Sequence, residues 1–272
     1  MRKISTAALN RAQQFVAEHA RPVDQALLQF QLADESVAGP AFEAVVRTIE
    51  GYQNPDGGFG HGIEPDVRTP TSLAISTSVA LQYLREIGAT SRLPVVRKAM
   101  AYLVRTVDRE RWVWPVIDQT VDAGPHAPWW NLARLDTRFD GFVFNPTAEL
   151  LGYLYDYPDL APAEVMAGVE RVVLKALQAR QTAGDAYDVA CCARLLRSRG
   201  LPAAVRDVLE PRFQAALKAA DLADLHLNFL QLIPSPQAFG YEIARPGIER
   251  QIERLDATQA SDGSRRPFWT WA

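Results

Sequence analysis

The sequence predicts an all-α fold, and three observations carry that expectation. Pro40, Pro70, Pro94, Pro146, Pro162 and Pro202 each stand just ahead of a run with helical periodicity. Proline suits that place because the first turn of a helix offers its missing N–H no intrahelical acceptor. Second, no stretch of alternating apolar residues bounded by hairpin turns is long enough to make a sheet. Third, helices of two kinds are expected: the run 70–87 is apolar nearly all round (Leu73, Ile75, Ala80, Leu81, Leu84), whereas 162–181 carries a narrow stripe of Val165, Val169, Val172, Val173 and Leu177. A buried layer and a half-buried layer of helices account for both.

In chain order, the first helix is expected over 5–19, where Gln13, Gln14 and Glu18 interrupt the apolar positions. Although Arg2 and Lys3 precede it, that pattern is not the apolar core of a secretory signal. Helices over 24–36 and 40–52 follow. Thr69 and Asn145 precede prolines and offer side-chain oxygens to the exposed N–H groups of helices 70–87 and 145–156. Between these two lies a helix over 93–107. The remaining helices are expected over 162–181, 185–199, 202–220, 222–232 and 245–260. The stretch 108–144 lacks sustained periodicity, and loops of that length in compact domains usually serve function.

The 272 residues, 48% hydrophobic and 22% charged, are enough to bury a large core, and one domain over residues 1–272 is expected. The 29 basic and 32 acidic residues are mixed along the chain, which argues against a nucleic-acid partner. No run approaches the roughly 18 apolar residues of a membrane span. Cys191 and Cys192 are adjacent, an arrangement that fits disulfide geometry poorly, so a reduced, cytoplasmic setting is the default.

A weak repeat refines the architecture. Ile49-x3-Gln53-x2-Asp56-Gly57-x-Phe59 is echoed by Leu255-x3-Gln259-x2-Asp262-Gly263, and more faintly by Leu177-x3-Gln181 followed by Asp185 and Tyr187. Each copy sets an apolar residue and a glutamine one turn apart at a helix end, ahead of a turn where the chain reverses. Units of this kind must stack on their neighbours, either closing into a ring or extending as a solenoid.

The run Gln53-Asn54-Pro55-Asp56-Gly57-Gly58-Phe59-Gly60 resembles the glutamine and aromatic repeat of the prenyltransferase and squalene/hopene cyclase superfamily. Phe59 stands where that repeat usually has tryptophan. The C-terminal copy has Arg265 there, with Phe268, Trp269 and Trp271 close behind. The resemblance implies an α/α toroid, a ring of helical hairpins around a cavity that often holds isoprenoid chains. It brings no reaction with it, since the cyclases' Asp-x-Asp-Asp and the terpene synthases' Asp-Asp-x-x-Asp are both absent. Asp188, Cys191 and His226 are the nearest counterparts of the prenyltransferase zinc set, but their spacing departs from that family's Asp-x-Cys, and neither metal nor other cofactor is expected.

Several residues are candidates for chemistry. The glycine-rich segment 51–69 also holds Asp56, His61, Glu64, Asp66 and Arg68. In an extended chain Glu64 and Asp66 would project to the same side, and two close carboxylates can share a proton near neutral pH and act as a general acid. Arg68 or His61 would neutralise them. The plain alternative is that both carboxylates cap the helix from residue 70.

The stretch 108–144 carries Trp112, Trp114, Trp129 and Trp130, four of the six tryptophans, interleaved with Asp118, Asp122, His126, Asp136 and Asp140. Indole faces stabilise cations or stack on sugars, so a lid over the mouth of a toroid is one placement; ordinary packing is the other. Asp140 joins Glu64 and Asp66 as a candidate catalytic acid. Asn145, Glu149, Tyr187 and Asp188 are expected to share a cavity, Glu149 because a carboxylate within an apolar run needs a partner or an interior role.

Three functions fit these residues. One is an acid-catalysed enzyme acting on an isoprenoid or similar apolar ligand. Another is a carbohydrate-active α/α barrel, with carboxylates about 5 Å or about 6.5–9.5 Å apart across a glycosidic bond. The last is a non-catalytic module that holds a small ligand or serves as a scaffold.

Overall fold

The computed structural model describes residues 4–135 and 139–267, apart from the side chains of Arg134 and Asp140. Asp136, Phe268, Trp269, Trp271 and the Asp140 carboxylate therefore lie outside the described residues. Among those described, the protein has eleven α-helices and isolated β-bridges but no strand. No described helix is long and apolar enough to cross a membrane. The chain divides into two compact units, Met1–Gly51 with Ala220–Ala272, and Tyr52–Ala219.

The first unit opens with α1 (Thr6–His19), whose first turn is capped by Ser5 accepting the Ala8 N–H. Helix α2 (Pro22–Leu32) starts earlier than its sequence pattern suggests, because Pro22 itself takes the first position. It also stops short of 36. The Asp34 carboxylate accepts both the N–H and the O–H of Ser36, a local turn that competes with the helical ladder. Helix α3 (Ala38–Glu50) buries Val45 and Ile49, and α2 packs against both α1 and α3.

The second unit holds α4 (Ala74–Glu86), α5 (Pro94–Thr106), α6 (Thr147–Asp156), α7 (Ala163–Ala179), α8 (Ala186–Leu196) and α9 (Ala203–Ala219). Helix α4 begins at Ala74 rather than Pro70 because the Leu73 N–H bonds the Phe59 carbonyl at 3.1 Å, which holds this stretch extended. Two rows result. Helix α6 packs on α4 and on α8, forming one row; α5 lies on α4, α7 on α6, and α9 on both α7 and α8. The row helix α6 is buried from Thr147 to Tyr155, whereas α7 buries its Val165, Val169, Val173 and Leu177 stripe together with Gly168. The two kinds of helix expected from periodicity are thus the two layers of this unit. Between α5 and α6 the described backbone has short 3-10 turns at Gln119–Ala123, Leu132–Arg134 and Asp140–Phe142.

On returning to the first unit the chain forms α10 (Phe229–Leu232) and α11 (Tyr241–Ala257), which pack together. The helix expected over 222–232 is mostly absent. Asp221 and Asp224 each accept the N–H two residues on, at 2.8 and 2.9 Å, and turn the chain instead. Gln251 on α11 then fixes α10 by donating to Leu227 O at 2.7 Å and accepting from Leu230 N at 3.2 Å.

Two of the three repeat copies form the same tie. In the second unit Gln53 Nε2 donates to Gly57 O at 2.9 Å and to Val95 O in α5 at 3.0 Å. In the first unit Gln259 Nε2 donates to Gly263 O at 3.3 Å and to Ala8 O in α1 at 3.0 Å. Gly57 and Gly263 have φ of 92° and 90°, open to glycine at little cost. A Cβ on either would fall on a helical carbonyl oxygen, Lys98 O or Arg11 O, three residues beyond the carbonyl that the glutamine holds. The third copy is closed differently: Gln181 is exposed, and Arg212 of α9 donates to the Leu177 and Arg180 carbonyls.

Candidate functional site

The glycine-rich segment and part of the tryptophan-rich segment meet in a loop cluster of the second unit. Arg68 N–H bonds Pro125 O at 2.8 Å, Ala127 N–H bonds Asp66 O at 2.8 Å, and Thr69 Oγ1 donates to Thr120 O at 3.0 Å. His61 has φ 57° and its ring meets Asn54 Oδ1 at 2.9 Å. The stretch around Glu64 and Asp66 is a turn rather than an extended chain, since Val67 N–H folds back onto Glu64 O at 3.1 Å. Glu64 Oε1 lies 3.4 Å from Asp66 N, and both carboxylates are half-buried, while His61 and Arg68 are exposed. Arg68 Nε reaches Pro65 O at 3.4 Å.

The tryptophans divide by role. Trp114 is core: its indole N–H donates to Leu103 O at 2.9 Å and its backbone N–H to Thr147 Oγ1 at 3.0 Å. Trp112 lies over Gly168, where any Cβ would strike the ring, and Arg109 covers it at 5.5 Å. Trp130 is buried and stacks on Phe139, with centroids 6.0 Å apart. Trp129 is half-buried. Trp112, Trp114 and Trp130 thus each make packing contacts within this unit.

A second assembly forms between α4, α6 and α8. On α6, Glu149, Tyr153 and Asp156 are spaced by four and three residues and so share a face. On α8, Asp188, Cys191 and Arg194 do the same; α4 supplies Ser78 and Arg85. Glu149 is 2% exposed and receives Tyr153 O–H at 2.6 Å, Arg194 Nη1 at 3.0 Å and the Cys191 thiol at 3.8 Å. Three donors meet the requirement that its burial in an apolar run imposes. Arg85 donates Nε to Asp156 at 2.6 Å and Nη1 to Arg194 O at 2.7 Å, closing the last turn of α8, and its guanidinium lies 4.3 Å from the Tyr153 ring centroid. Asp156 also accepts Arg199 N–H at 2.7 Å.

Gly152 lets these elements approach, since a Cβ there would meet Ser198 Oγ at 2.6 Å and Arg85 Nη2 at 3.1 Å. Among the described residues, Ser76 Oγ and Ser78 Oγ of α4, Arg85 Nη2 and Ser198 Oγ just beyond α8 are buried with no hydrogen-bond partner. Arg85 Nη2 and Ser198 Oγ, both against Gly152, leave this end of the seam with polar atoms that its own bonds do not satisfy.

Burial, then the Glu149 charge, pushes the Tyr153 hydroxyl and the Cys191 thiol well above their ordinary ranges, so both keep their protons. Asp188 stands at the N-terminal end of the seam. Burial and then the neighbouring Asp185 charge raise its carboxyl to about 6, against the opposing pull of Arg180. Arg180 Nη1 lies 3.2 Å from Asp188 Oδ2, and its guanidinium is 4.5 Å from the Phe144 ring centroid. Of the four residues expected to share a cavity, Glu149 and Asp188 are on this seam, Asn145 is buried just ahead of α6, and Tyr187 is 47% exposed.

Arg85, Asp156, Arg194 and Ser198 escaped the sequence reading, although the Glu149-Tyr153-Asp156 spacing was a usable signal for one polar face. Among the described residues no three His, Cys, Asp or Glu side chains converge as a metal-ligand set. His226, the third of the nearest zinc-set counterparts, is exposed. Comparison with family models, with curated proteins and with solved structures found no match.

Proposed function

We propose that this chain is a small α/α-toroid enzyme of the terpenoid-cyclase and prenyltransferase type, in which Asp188 delivers a proton to an isoprenoid or similarly apolar ligand. The observation that carries this reading is the setting of Asp188: its side chain is only 14% exposed, it stands in the first turn of α8, and its counter-charge is already in place on Arg180. Burial and the neighbouring Asp185 charge raise its carboxyl to about 6, so it carries a proton more readily than an ordinary carboxylate and increasingly so below that pH. Transfer of that proton to an alkene carbon forms a C–H bond from the π pair and leaves a carbocation. The new carboxylate is held by Arg180, and loss of a proton from the cation to water ends the reaction. Ring closure of the hairpins belongs to the same proposal and is supported by the matching ties at Gln53 and Gln259.

Glu64 and Asp66 are the rival donors, with less shielding and with Glu64 facing the turn N–H. A carbohydrate-active reading is weakened by the packing of Trp112, Trp114 and Trp130. A non-catalytic binding module is the second reading, favoured by the way protein donors already occupy Glu149.

The test is incubation of the purified protein with linear polyprenes and prenyl diphosphates, with products followed by mass spectrometry. Turnover should be greatest below pH about 6 and fall above it as the acid loses its proton. Asp188→Asn should reduce it at least about 100-fold, with Glu64→Gln and Asp66→Asn near wild type. Binding without product favours the module; turnover only on a sugar panel rejects the proposal.

A further inference from the structure

Helix α6 has a second face that the seam does not use. There Tyr155, Pro158, Ala163, Met166, Glu170 and Pro202 line an open groove of about 430 Å³, within the range of small-molecule sites. On α7 the lining residues Ala163, Met166, Ala167 and Glu170 follow the i, i+3, i+4, i+7 pattern of a single helix face, and each is exposed or half-buried. This stripe is not part of the α7 core, which is the Val165, Val169, Val173 and Leu177 stripe beside it.

Glu170 supplies the groove's one carboxylate. Tyr155 O–H donates to Glu170 Oε2 at 2.6 Å, a charge-assisted bond that fixes the carboxylate in orientation. Burial, and then that bond, push the Tyr155 hydroxyl upward, so it remains a donor. Among the described residues no Lys or Arg lies within ion-pair distance of Glu170, and Oε1 accepts no protein hydrogen bond. A neutral apolar guest would cover the carboxylate without pairing it, and an anion would be repelled. A cation with a hydrocarbon body satisfies both the charge and the walls.

We propose that this groove binds a small alkylammonium ion, with its methylenes on Met166, Pro158 and Pro202 and its ammonium on Glu170. The test titrates the whole chain with n-hexylammonium, n-hexanol and hexanoate, by calorimetry and by the NMR signal of the Met166 methyl, assigned with Met166→Leu. Hexylammonium should bind saturably and shift that signal, with hexanol and hexanoate weaker by about 10-fold or more. Glu170→Gln should bring hexylammonium down to the hexanol level. No binding, equal binding of hexanol, or an unaffected Glu170→Gln overturns the proposal. Should Glu170→Gln fail to fold, the ranking of the three probes on the unaltered protein decides it.

Discussion

The turn after Gln53 and the turn after Gln259 share the glutamine tie and then diverge two residues beyond the glycine. Both glutamines hold their own turn and a carbonyl in a helix of their unit, and both glycines rest on the next turn of that helix. Two residues beyond Gly57 the chain places Phe59, fully buried, with its N–H on Thr77 Oγ1 at 3.2 Å. Two residues beyond Gly263 it places Arg265, which turns back to donate to Leu255 O at 2.7 Å. The tie is thus a glutamine and glycine device that works without its aromatic residue. Phe59 adds core packing to a closure that is already complete, and Gln259 gains a different supplement, a bond from Arg11 at 2.8 Å.

The largest effect that would test this contrast is at the divergent position. Phe59→Ala should cost about 3–5 kcal/mol in denaturant unfolding, and Arg265→Ala about 1 kcal/mol; equal losses would mean that Arg265 does more than cap Leu255. Next come the shared glycines. Gly57→Ala and Gly263→Ala should each cost about 2–4 kcal/mol, combining the left-handed backbone with a Cβ forced onto a carbonyl oxygen. A clear difference between these two would show that the turns are not equivalent. Gln53→Ala and Gln259→Ala should each cost about 1–3 kcal/mol, because Val95 and Ala8 are buried and their carbonyls lose a donor.

The smallest effect is electrostatic. The O–H and N–H of Ser264 hold Asp262 below the usual carboxylate range. Its contribution should be complete above that range and lost as pH falls through the lowered value, and an NMR titration of Asp262 with Asp262→Asn as reference measures it.

Much of the fold could be read before any coordinates because proline and apolar spacing act locally. Pro94 opens α5, Pro162 and Pro202 directly precede α7 and α9, and the valine stripe of α7 faces inward. The helix ends misread near 36 and over 222–232 share one cause. Asp34, Asp221 and Asp224 bond neighbouring backbone N–H groups, and the apolar periodicity around them carries no trace of that choice. The candidate site was half legible. Glu149 stood out as a carboxylate among leucines, and Asp188 by its place at a helix start. Arg85 and Arg194 resemble ordinary surface arginines in sequence. Their burial depends on a neighbour, Gly152, whose missing side chain admits Arg85, and on α4 stacking against α6, which no local pattern encodes. The extended geometry expected for Glu64 and Asp66 gives way to a turn, because the Val67 N–H bonds Glu64 O there.

The bond from Arg11 to Gln259 spans 248 positions. During synthesis the helix that carries Arg11 leaves the ribosome early and must wait for its partner until residue 263 has followed. Residues 52–219 need no such delay and can mature first. A nascent chain arrested before residue 259 should therefore protect the middle of the sequence from protease while leaving α1 open to cleavage.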